Sequence, residues 1–200
     1  ENEQGEQEII DGQQRITSMF RSMRCKDPVA TTNDQKKPIK RYYYLDIERA
    51  LSSTTDRIDA IISVDENKQR RENIGRDIVL DFSTPELEYK NKVIPFNIMT
   101  NLTELNEWRN RYQEYHNFEP EIMKQYNELD DKILRNITTY KLPIIKVKKE
   151  TPKEAVCQVF ENVNQGGVPL TVFELLTATF AADNFDLRKD WEEIRKRFKE

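Results

Sequence analysis

The chain has 200 residues, a length that suits one domain of ordinary size, yet with 36% hydrophobic and 34% charged residues it is polar for a single tight globule. Its net charge of −4 excludes a surface that attracts nucleic acid everywhere and leaves only local basic patches. Two well-separated cysteines, Cys25 and Cys157, and one histidine, His116, argue against a zinc site or a disulfide framework, and no apolar run approaches the roughly eighteen residues of a membrane span.

In chain order, Ile9 and Ile10 read as the end of a buried strand and Asp11-Gly12 as a turn. Ile16, Met19, Phe20 and Met23 then recur at i, i+3, i+4 and i+7, one face of a helix. Gln13, Gln14 and Arg15 therefore stand where a strand hands over to a helix N-terminus. Unpaired N–H groups and the positive end of the helix dipole favour an anion there, and the planar fork of Arg15 suits a phosphate. A solvated turn with a surface arginine fits the same residues.

Residues 26–38 predict a polar loop, and residues 39–47 a strand. The triplet Tyr42-Tyr43-Tyr44 beside Lys40 and Arg41 suits alternating strand faces better than a base-stacking platform. Residues 57–64 and 77–82 predict two more strands. The mixed-charge run between them reads as solvated loop or short helix, and its interleaved acids weaken Arg70-Arg71 as a phosphate contact. From Leu102 the pattern turns helical, with Leu105, Trp108, Tyr112 and Tyr115 on one stripe and His116 placed as a C-terminal cation. Pro120 suits the first position of a second helix that carries Ile122, Met123, Tyr126, Leu129, Ile133 and Ile137, so 102–137 reads as an antiparallel pair with an aromatic core.

Residues 140–147 predict a strand whose pairing Pro143 limits. Thr151-Pro152-Lys153-Glu154 is a capping box opening a helix that buries Val156, Val159 and Phe160. It runs into Asn162-Val163-Asn164-Gln165-Gly166-Gly167, and a second box, Thr171-Val172-Phe173-Glu174, follows. Glycine pairs let a backbone approach a ligand closely and asparagine amides both donate and accept, although a plain helix stop explains Gly166 equally well. A last helix carries Leu187, Trp191, Ile194 and Phe198 on one face. The chain begins at Glu1 and ends inside this charged helix, so it reads as an excerpt, cut at both ends, of a longer cytoplasmic protein.

The segment Ile10 to Thr17 resembles the Asp-Gly-Gln-Gln-Arg signature of a widespread prokaryotic family typified by the N-terminal domain of GmrSD-type restriction enzymes. Phe160 to Leu170 resembles its second signature, Phe-x-x-x-Asn-x-Gly-Gly-x-x-Leu, while Tyr-Tyr-Leu-Asp at 43–46 and Val-Ile-Pro-Phe at 93–96 resemble its intervening strands. The family is similar to the ParB and sulfiredoxin superfamily, whose Gly-x-x-Arg turn matches Gly12 and Arg15, with Ser18 standing where alanine is usual. The resemblance covers residues 8 to 182.

It implies a single α+β domain over 1–200, with a small mixed sheet, packed helices, a variable strand and loop segment at 48–92 and the helical pair as an insertion. It further implies that the domain binds and hydrolyses a nucleoside triphosphate with Mg2+, as the sensor of a DNA restriction or phage-defence protein. In that reading Asp11, Gln13, Gln14 and Arg15 are catalytic, Asp11 also meeting the metal. Gly12, Arg15, Thr17, Asn162, Asn164, Gly166 and Gly167 hold the nucleotide. The implied partners are the nucleoside triphosphate, DNA through the full-length protein, and an HNH nuclease domain or subunit. The excerpt is not a nuclease by itself, since His116 is its only histidine. The family's usual upstream Gln-Arg segment would lie ahead of Glu1. The alternatives are a module that grips DNA backbone without hydrolysis, supported by the basic stretches Lys36–Arg41 and Lys146–Lys149, and a purely structural domain.

Overall fold

The computed structural model describes residues 9, 12–73, 76–148, 150–152, 155–156, 158–159 and 187–197. The chain forms two compact units, one of Gln14–Lys141 and one of Glu1–Gln13 with Leu142–Glu200. It is α+β.

In the first unit, strand β2 (Pro38–Asp46) is the spine. Its first half pairs antiparallel with β1 (Val29–Thr32), Ala30 opposite Lys40. Its second half pairs antiparallel with both β3 (Ile61–Val64) and β6 (Val93–Pro95). Tyr44 faces Ile62 on one side and Pro95 on the other, so β3 and β6 flank β2 on opposite edges. A separate hairpin joins β4 (Gln69–Glu72) to β5 (Asp77–Asp81).

Side-chain alternation along β2 and β6 divides the interior in two. Tyr44 and Val93 bury themselves with Ile62, Val64 and Phe82. Their neighbours Leu45 and Ile94 point the other way, into a larger core with Ile47, Met99, Trp108, Tyr112, Tyr126 and Leu129. The tyrosine triplet is thus a strand with working faces: Tyr44 packs on Phe82 at 4.8 Å between ring centres and Tyr43 on Phe96 at 6.4 Å.

The helices of the larger core are capped as their sequences dictate. Asp46 opens α2 (Ile47–Leu51), its carboxylate accepting the Arg49 N–H at 2.9 Å. Thr84 precedes Pro85 in α3 (Pro85–Lys90), and Asn101 caps α4 (Leu102–Tyr115). Leu105, Trp108 and Tyr112 are buried on α4 as the stripe requires, whereas Tyr115 at its end is exposed. Pro120 opens α5 (Pro120–Leu129) at its first turn. A π-turn at Asp130–Leu134 then leads into α6 (Arg135–Thr139). The π-turn adds a residue to the helical repeat, so Leu134 is fully buried while Ile133 and Ile137 are only partly so.

Four local expectations are corrected. The loop at 26–38 contains β1, and the mixed-charge run before residue 77 contains β4. Residues 57–60 form a 3-10 turn capped by Asp56, so β3 begins only at Ile61. The expected strand at 140–147 is likewise not formed: the segment is irregular and exposed, Ile144 by 73% and Ile145 by 64%. Pro143 removes a donor, and no described strand pairs with the segment. The capping box at Thr151 does start a helix, the Val156 N–H donating to the Pro152 carbonyl at 3.1 Å. The last helix, α7, is Leu187–Arg197, with Trp191 exposed.

Candidate functional site

The Gln-Gln-Arg cluster opens helix α1 (Gln13–Arg24), as the sequence reading expects. Gly12 immediately before it has φ 88°, a left-handed conformation that a Cβ would strain. The first turn of α1 carries no acidic side chain, and Gln13, Gln14, Arg15 and Thr17 are all exposed. The N–H groups and the dipole of a helix start favour an anion at this end. The strand expected to lead into it is absent at Ile9, which is exposed and irregular. The Ile9 carbonyl instead accepts from Gln13 Nε2 at 2.9 Å, a local bond in place of a sheet ladder. Ile10, Asp11, Asn162, Asn164, Gly166 and Gly167 lie outside the described residues, as does the second capping box.

The apolar stripe of α1 exists but is exposed at Ile16, Met19 and Phe20, and only its last member, Met23, is half-buried. What ties the helix to its unit is its C-terminal end. Arg24 Nη1 donates to the Thr100 carbonyl at 3.2 Å, the Thr100 hydroxyl donates to the Met23 carbonyl at 3.1 Å, and Lys26 pairs with Glu104.

Sequence reasoning missed a buried carboxylate. Glu88 on α3 is 4% exposed. Its Oε1 accepts from the Tyr44 hydroxyl at 3.2 Å and lies 3.7 Å from Lys68 Nζ, and its Oε2 accepts from Trp108 Nε1 at 3.3 Å. Burial pushes the Glu88 carboxyl above the usual carboxylate range, against the pull of Lys68, Trp108 and Tyr44. Burial likewise raises the Tyr44 hydroxyl, with the Glu88 charge adding to it. Lys68 sits at a positive φ of 59° in the turn between β3 and β4, its ammonium 5.7 Å from the centre of the Tyr42 ring. Together with Arg21, Arg41 and Arg111 these groups line a cavity of about 300 Å3. Both carboxylate oxygens of Glu88 are engaged, so the group works as a strut joining β2, α3, α4 and the β3–β4 turn. No sequence signal marks it: Glu88 reads as one more acid in a capped surface helix, and its partners stand 20 and 44 positions away.

Among the described residues no group of three or more His, Cys, Asp or Glu is placed to hold a metal ion, and no helix is long and apolar enough to cross a membrane. The structure so far defines an α+β domain with an exposed, glycine-led helix start that bears Gln-Gln-Arg.

The chain belongs to the GmrSD restriction endonuclease N-terminal domain family, whose model matches residues 1–181. That is the family expected from the two sequence segments, and it places the chain among restriction-system proteins. An uncharacterized protein of Methanocaldococcus jannaschii is similar, 24% identical over 188 residues that cover 92% of this chain and 29% of that protein. The chain thus spans less than a third of this relative. No solved structure matches it.

Proposed function

We propose that the chain is a nucleotide-binding and nucleotide-hydrolysing sensor domain of a DNA restriction protein, with the phosphates held at the start of α1. The observation that carries the proposal is the passage from Gly12, at φ 88°, into an exposed first helical turn that has Arg15 and no carboxylate. Such a turn suits a phosphate, because the backbone passes close without a Cβ in the way and the helical turn itself carries no acid. Arg15 neutralises charge on the phosphoryl oxygens as it builds up. The Gln13 amide is tied back to Ile9, which leaves Gln14 to orient the attacking water. Thr17, one turn further along α1, is assigned to the nucleotide, as are Asn162, Asn164, Gly166 and Gly167. With no acidic cluster among the described residues, Mg2+ would be held by Asp11 and chiefly by the nucleotide's own phosphates, where it supplies charge neutralisation. DNA and an HNH nuclease domain or subunit remain the proposed partners of the whole protein.

The test is a calorimetric titration of ATP, GTP, CTP and UTP with Mg2+ against the chain and its Arg15→Ala variant. At least one nucleotide should bind, and the variant should lose that binding while keeping its circular dichroism spectrum. Equal affinity in the two proteins would rule out the phosphate role of Arg15. The second reading, a domain that grips DNA backbone, is favoured by one specific observation, the arginine-lined groove described next.

A further inference from the structure

A groove of about 400 Å3 on the β-sheet unit is lined by Arg41 of β2, Arg49 of α2, and Arg70 and Arg71 of β4. Asp59 is the one carboxylate among its lining residues. Four arginines from three elements line it in a chain whose net charge is −4, Arg41 lining the Glu88 cavity as well. Arg70 and Arg71 are strand neighbours, which ordinarily point to opposite faces. The register slips beside them, Arg70 pairing with Leu80 and Arg71 with Ile78, so that β5 carries Val79 as an extra residue, and both arginines line the groove. The acids that weaken this pair in the sequence, Asp65, Glu66 and Glu72, do not line it.

Two of the four are already engaged within the domain. Arg49 pairs with Asp46 at 3.4 Å, and Arg71 donates to the Gln69 side chain at 2.7 Å. Arg41, half-buried, and Arg70 have no ion-pair partner among the described residues. The lining holds no aromatic ring on which a base would stack. A ligand that satisfies several separated guanidinium groups without base stacking is a chain of phosphates presented from outside. We infer that this groove is the contact of the domain with the backbone of duplex DNA, made through Arg41, Arg49, Arg70 and Arg71 and independent of base sequence. The inference rests on the reading of the chain as part of a DNA-directed restriction protein and does not require nucleotide binding.

The experiment is fluorescence anisotropy with a labelled 20-base-pair duplex between 50 and 200 mM salt. It compares the chain, the Arg41→Glu/Arg70→Glu variant, the milder Arg41→Gln/Arg70→Gln variant and Arg15→Ala. The unaltered chain should bind with a log–log salt slope of about −3 to −4, as expected for four neutralised phosphates. The glutamate variant should weaken binding at least tenfold, and the glutamine variant should flatten the slope by about two. Arg15→Ala should bind the duplex as the unaltered chain does. No duplex binding at 50 mM salt, or an unchanged affinity and slope in a folded glutamine variant, would overturn the inference. Nucleotide calorimetry on the same proteins separates the two sites. Loss of nucleotide binding in Arg15→Ala alone supports the first site, whatever the duplex result.

Discussion

The residue with the clearest energetic signature is Glu88. A buried carboxylate is tolerated only when its charge is partnered, and here Tyr44, Trp108 and Lys68 provide that partnership. Because burial raises its pKa, the folded chain holds the Glu88 proton more tightly than the unfolded chain does. Its contribution to stability is therefore complete below the ordinary carboxylate pKa and is lost as pH rises through the raised one. Urea midpoints measured from pH 4 to 8 should show this decline, and Glu88→Gln should remove that component of it. Glu88→Ala leaves the Trp108 N–H and the Tyr44 hydroxyl without an acceptor beside a new void. It should cost about 2–4 kcal/mol at neutral pH by the same denaturation assay, well above the glutamine variant.

At the scale of elements, legibility followed the range of the forces involved. The helix starts at Gln13, Leu102 and Pro120 are written in local chemistry, namely a glycine turn, an asparagine cap and a first-turn proline. Asn101 shows what such a cap contributes: its Oδ1 accepts from the N–H groups of Thr103 and Glu104, and its Nδ2 returns a bond to the Glu104 carboxylate at 2.9 Å. Asn101→Ala should lower stability by about 1 kcal/mol, read as a shifted denaturation midpoint with an unchanged slope. Strands β1 and β4 were not legible for an equally physical reason. The turns beside them adopt positive φ at Lys36 and Lys68, where no glycine marks the place. The π-turn after α5 was likewise invisible to a 3.6-residue period, which puts Ile133 where Leu134 belongs.

At the scale of the whole molecule, the family was legible because its signatures are short runs of polar residues and glycine, types that carry little packing information and so stand out. Three of the five glycines in the chain, Gly12, Gly166 and Gly167, fall in those two runs. The helix that Gln13, Gln14 and Arg15 open could therefore be named from sequence. The arginine groove could not, since it depends on β2, α2 and β4 meeting, beside a one-residue register slip between Arg70 and Arg71. Long-range register is a property of the folded sheet and leaves no local mark.

The strut around Glu88 has an optical consequence as well. The chain has two tryptophans. Trp108 is 7% exposed and packed against Tyr112 in one unit, while Trp191 is 56% exposed in the other. Iodide should therefore quench a red-shifted emission from Trp191 and leave a blue-shifted remainder from Trp108. A single, uniformly quenched band would contradict the burial of Trp108. The two colours let one unmodified sample report the two units separately, so that ligand-induced or denaturant-induced change can be assigned to one unit without attaching a label.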